Sequence, residues 1–119
     1  MNTKKPPIPA EDQALALLEG RIYEVLRPYL DKEVVDFRPY LSVTRSDIVA
    51  FLSSRPAIAD KYFAEHSRRQ IYHDGVRLWR SGVQYHVADM DHGKPRSEKR
   101  FDSLAEAVAE HVLITHGMY

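Results

Sequence analysis

The chain contains no cysteine. Disulfides and thiolate metal sites are therefore excluded, and a reducing cytoplasm is the expected location. It also lacks a charge excess: Lys plus Arg number 17, and so do Asp plus Glu. A sequence-blind nucleic-acid binder needs a basic surplus, because phosphate contacts carry its affinity. A nucleic-acid mimic would need an acidic one. No apolar run approaches the roughly 20 residues that span a bilayer, so no membrane partner is expected. Met1 to Pro9 carries two lysines but no apolar stretch, so a signal peptide is not expected either. Phosphate-cradling glycine loops, HExxH and GxSxG are all missing.

What remains is an ordinary globular composition, 44% apolar and 29% charged over 119 residues. A chain of this length suits one domain and can bury roughly two-thirds of its unfolded surface. Residues 1–9, with Pro6, Pro7 and Pro9, read as a flexible arm. Residues 10–67 read as a mainly helical half, and 68–119 as a β-meander plus a helix. Ala14, Leu15, Leu18, Ile22, Val25 and Leu26 recur at helical spacing, which predicts one helix over 10–27, weakened at Gly20 and ended by Pro28. Residues 29–41 are ambiguous: Val34, Val35 and Phe37 suit a short strand, whereas Pro39 opposes it. Thr44 to Asp47 resembles a capping box and starts a helix that stops before Pro56. A further short helix over 57–67 would turn Ile58, Tyr62 and Phe63 inward.

The richest stretch is 71–117. Asp74-Gly75 and Ser81-Gly82 sit between alternating apolar runs, a strong hairpin signal. Two-residue turns there pair Ile71 with Leu78, Leu78 with Tyr85, and Val76 with Val87. One face then carries Ile71, Val76, Leu78, Val83, Tyr85 and Val87. A three-residue loop Asp91-His92-Gly93 adds Phe101 to that face. Ser103 to Glu106 is a capping box, Gly117 a stop, and Leu104, Ala107, Val108, His111 and Val112 form the stripe that covers the sheet. The fold class is thus α+β: N-terminal helices packed with a C-terminal antiparallel meander and a capping helix.

The opposite face carries Tyr72, Arg77, Trp79, Gln84, His86 and Glu98, where Trp beside Tyr and Arg has the composition of a binding hot spot. The competing reading puts the first helices over Trp79 and makes it core. His86, Asp89, Asp91 and His92 lie close in sequence, as metal ligands do. However, His86 and Asp89 point to opposite strand faces and Asp91-His92 occupy a turn, so no metal or other cofactor is expected. His111 on the apolar stripe reads as a satisfied core histidine.

The segment Trp79 to His111 has the shape W-x3-V-x-Y-x-V-x3-D-x-G-K, followed by F-x-S-L-x-E-A-V. It resembles the C-terminal half of small bacterial immunity proteins that accompany polymorphic and contact-dependent growth-inhibition toxins. The positions concerned are Tyr85, Val87, Asp91, Gly93, Phe101, Ser103, Glu106 and Ala107. The resemblance implies a cytoplasmic, non-enzymatic protein that binds and neutralises a cognate toxin domain. The expected interface is the hairpin edge and outer face: Tyr72, Arg77, Trp79, His86, Asp89, Asp91 and Glu98. A small nucleic-acid-associated or regulatory binding module is the alternative, and a histidine-dependent nuclease comes third. A homodimer stays open.

Overall fold

The structure is a computed structural model and describes residues 6–30, 36–68 and 75–118. The fold is α+β. Helices α1 (Ala10–Leu18), α2 (Ile22–Leu26), α3 (Arg45–Ser53) and α4 (Pro56–His66) precede strands β1 (Gly75–Ser81), β2 (Gln84–Asp91) and β3 (Lys94–Phe101), and α5 (Leu104–Thr115) closes the order. Short 3-10 turns at Arg27–Tyr29 and Arg38–Tyr40 each carry a proline as their second residue. The anticipated strand residues Val34 and Val35, and Ile71 to Asp74 with the first proposed turn, lie outside the described residues.

The single helix expected over 10–27 is corrected to two. Gly20 does more than weaken it. At φ 70° it takes the left-handed conformation that glycine tolerates best. Its N–H bonds the Leu17 carbonyl at 3.2 Å, and Arg21 N–H bonds the Ala16 carbonyl at 2.7 Å. This paired closure satisfies orphan carbonyls and ends α1. Gly117 ends α5 in the same way, through Gly117 N–H to Ile114 and Met118 N–H to Leu113. The start of α3 is a complete capping box: Thr44 Oγ1 accepts from Asp47 N–H at 3.2 Å, and Asp47 Oδ2 accepts from Thr44 N–H at 2.9 Å. At α5 the cap is the bond from Glu106 N–H to Ser103 Oγ.

The strands form an antiparallel sheet in the order β1-β2-β3. Its register differs from expectation. Leu78 pairs with Val87, Trp79 with His86, and Arg80 with Tyr85, so the turn is Gly82-Val83 and not Ser81-Gly82. Gly82 at the first central position, φ 64°, is what a type II′ hairpin requires. Moving the turn by one residue shifts the pairing by two, and side chains alternate with period two. The inward face therefore survives the shift. Val83 is the exception: expected inward, it stands in the turn and is 79% exposed.

The second turn is likewise two residues. Asp91 pairs with Lys94, while His92 and Gly93 both take positive φ. The extra residue lies at Ser97, φ 52°, where the β2–β3 register shifts between Val87 and Asp89 as at a β-bulge.

Helix α5 sits at the centre. It packs against all three strands and against α3 and α4; α4 also touches β1, and α1 lies beyond α3. Ala105, Ala107, Val108, Ala109, Val112 and Leu113 are all buried, so the expected stripe extends nearly round the helix. The small alanines let both neighbours approach. Leu78 and Val87 join Ile48, Leu52 and Val108 in one core. Gln13 is fully buried and ties α1 to the segment before α3. Its Oε1 accepts from Ser42 N–H (2.9 Å) and Val43 N–H (3.0 Å), and its Nε2 donates to the Ile8 carbonyl and to Ser42 Oγ.

Candidate functional site

Helices α3 and α4 pack on α5, and their ring contacts with the sheet, Phe63 on Tyr85 and Arg45 over Phe101, fall on its inner face. Trp79 stands on the other, outer face. On that face the rings of Trp79 and His86, partners across β1 and β2, lie parallel at an interplanar angle of 6° and a centroid distance of 5.2 Å. Glu98 closes the cluster: its Oε2 lies 3.5 Å from His86 Nδ1 and accepts from Arg100 Nε at 3.1 Å. His86 Nδ1 is buried, and the Glu98 contact is too long and poorly aimed to be a hydrogen bond. The imidazole is held by stacking and by a nearby charge.

The face is not bare, since alternation puts Ala88 and Met90 on it and both are buried. Trp79 itself is intermediate in exposure.

Of the seven residues expected at the interface, Trp79, His86 and Glu98 are brought together. Arg77 shares their strand face, but its guanidinium turns toward the start of β1 and bonds the Val76 carbonyl at 3.0 Å. Asp89 is exposed and pairs in register with Val76 and Arg96, on the sheet side opposite His86. Asp91 stands at the hairpin end, 3.4 Å from Arg96 and 2.7 Å from the exposed His92. Tyr72 lies outside the described residues. Strand β3 is exposed along Lys94, Pro95, Arg96 and Arg100, and proline, lysine and a bulge on an edge strand discourage pairing with another sheet.

A second polar cluster joins α4, α5 and β1. Tyr62 is buried, and its hydroxyl meets His111 Nδ1 at 2.6 Å; His111 Nε2 meets the Val76 carbonyl at 3.3 Å. The carbonyl can only accept, so Nε2 carries the proton and Tyr62 donates to Nδ1. Burial, aided by the charges of His66, Arg77 and His116, lowers the His111 pKa to about 4. Burial also raises the Tyr62 hydroxyl's pKa. His66 stacks on Tyr62 at 4.0 Å. His111 is thus a satisfied core histidine, as its place on the stripe implies. Its partner lies 49 positions away, beyond the reach of local patterns.

Sequence reasoning also missed Glu110. It is 1% exposed and holds two cations: Arg45 Nη1 donates to its Oε1, and Lys99 Nζ lies 3.3 Å from its Oε2. This clamp joins the first residue of α3, the centre of α5 and β3. A glutamate flanked by Ala109 and His111 in a helix so rich in alanine was the available signal, because a carboxylate in an apolar surround needs a partner. Among the described residues, no group of three or more His, Asp or Glu side chains could hold a metal ion. No helix among them is long and apolar enough to cross a membrane. No family model, curated protein or solved structure matches the chain.

Proposed function

We propose that this chain is a non-enzymatic immunity protein that binds a cognate toxin domain through the outer face of its sheet. The carrying observation is the Trp79–His86 stack bordered by Glu98 and Arg100, on the side turned away from α5. A rigid aromatic pair ringed by charges of both signs has the make-up of a protein-binding hot spot. Overall neutrality suits local, matched electrostatics better than a broad steering field. The resemblance of Trp79 to His111 to immunity proteins supplies the partner class.

The alternative, a nucleic-acid-associated module, draws support from exposed Lys94, Arg96 and Arg100 near an aromatic platform. It weighs less, because Arg96 and Arg100 are bridged to Asp91 and Glu98.

The test is growth rescue during co-expression with the toxin domain encoded beside this gene. Protection that fails in a folded Trp79→Ala variant supports the reading. Unrelieved toxicity, or full protection by that variant, overturns it. Trp79 is the only tryptophan. Quenching of its fluorescence by single-stranded oligonucleotides, without rescue, would favour the alternative.

A further inference from the structure

The exposed face of α4 carries charge that the fold does not use. Asp60, Lys61 and Glu65 stand on that face, and Arg68 follows just past the helix end; all four are exposed. Among the described residues none of the four has an ion-pair or hydrogen-bond partner. Lys61 and Glu65 are spaced to pair along the helix, yet they stay apart, and Lys before Glu is the weaker of the two orders. From this face we infer that α4 docks against α4 of a second copy of the chain, antiparallel and about a two-fold axis.

The order of the charges carries the inference. From Asp60 to Arg68 the four signs run minus, plus, minus, plus. Reversed, they run plus, minus, plus, minus. An antiparallel partner therefore sets an opposite charge before each. Asp60 meets the partner's Arg68, and Lys61 meets the partner's Glu65. Each pair occurs twice, because a two-fold interface is self-complementary. A parallel partner would set like charges together. Lys61 and Glu65 lie one turn apart, about 6 Å along the helix at 1.5 Å per residue. An axis passing between them brings both copies of that pair into reach at once.

Two further observations agree. A groove of about 360 Å³ runs beside this face, between α1 and α4. Leu15 and Ile58 stand half-buried in its wall, with Lys61 and Glu65 also lining it. A second copy held by those charges shields this apolar wall from water. The chain as a whole is neutral, so two copies meet without net repulsion. One short helix gives a small contact, so the dimer is weak and salt-sensitive.

The test is sedimentation equilibrium of the full chain over a range of concentrations, at low and at high salt. The wild type should dimerise at high concentration and dissociate as salt rises. Lys61→Glu and Glu65→Lys should each weaken the dimer about tenfold or more, since either reversal turns two attractions into two repulsions. Neither should alter the melting temperature, because both positions are exposed. The decisive sample is a mixture of the two variants. Their inner charges are opposite at both contacts, so they should associate with each other although neither associates alone. A chain carrying both reversals should dimerise like the wild type. A monomer at every concentration, a dimer indifferent to either reversal, or variants that stay apart when mixed would each overturn the inference. No toxin enters the measurement, and none of these residues lies on the sheet, so either reading can fail without the other.

Discussion

The two faces of the sheet are built from the same three strands, yet they are held in different ways. On the inner face Leu78 and Val87, each 1% exposed, seal against α5. The buried carboxylate of Glu110 is gripped there by Arg45 and Lys99, and buried His111 by Tyr62 and the Val76 carbonyl. On the outer face Trp79 lies flat on His86, whose Nδ1 has no hydrogen-bond partner, and Glu98 divides its charge between that ring and Arg100. The inner face satisfies its polar atoms and stabilises the fold. The outer face leaves one buried ring nitrogen, His86 Nδ1, without a hydrogen-bond partner among the described residues.

Mutations test that contrast. The largest effect is expected at Leu78→Ala, which should cost about 2–5 kcal/mol in urea unfolding, because it opens a cavity under α5. Trp79→Ala should cost under about 2 kcal/mol, since Trp79 is only half-buried and makes no contact with the core cluster. Equal losses at the two sites would abolish the distinction between the faces.

Arg45→Ala should come next, at about 3 kcal/mol, because it takes one of its cations away from a buried carboxylate. Glu110→Gln should cost less, since the cations it releases are 37% and 53% exposed and can hydrate. The reverse order, measured in the same unfolding assay, would show that the clamp does not act through burial of its charge.

Acid offers a third probe. The pKa of His111 is lowered from 6.5 to about 4 on folding, so between those values the unfolded chain binds the extra proton. Stability from this group is complete above pH 6.5 and falls as the pH drops toward 4, by about 3 kcal/mol in all. His111→Gln should flatten that part of the stability-versus-pH curve. An unchanged slope would place the acid sensitivity elsewhere.

The smallest effects belong to the helix caps. Thr44→Ala and Ser103→Ala should each cost about 1 kcal/mol, because each removes the one hydroxyl oxygen that accepts an N–H in the first turn. Thermal melts of the two variants would show losses of similar size.

Local features were legible in the sequence wherever a short-range rule governs them. The Thr44 cap, the stop before Pro56, the helix after it, the meander and the cap at Ser103 all follow from neighbours a few residues apart. Reading Ser81-Gly82 as the turn puts the β1–β2 pairing two positions off, because Gly82-Val83 forms it. The faces were still right, because period-two alternation is blind to an even shift. Gly20 was read as a cost within one helix, although its left-handed conformation divides two. The candidate site was less legible than the fold. Alternation placed Trp79, His86 and Glu98 on one face, but it could not foresee Arg77 turning away. Tyr62–His111 and Arg45–Glu110 join residues 49 and 65 positions apart, and no periodicity encodes such a meeting.

Gln13 carries a consequence for how the molecule opens. Its side chain acts as a substitute peptide group, receiving the N–H bonds of Ser42 and Val43 that a neighbouring strand would otherwise take. Those two amides are therefore protected by a side chain 29 and 30 positions away, on α1. In hydrogen–deuterium exchange they should be released only when α1 lifts from the body, at a rate shared with the amides of α1. The first helix and the entry to α3 would then open as one unit, although no strand or helix connects them.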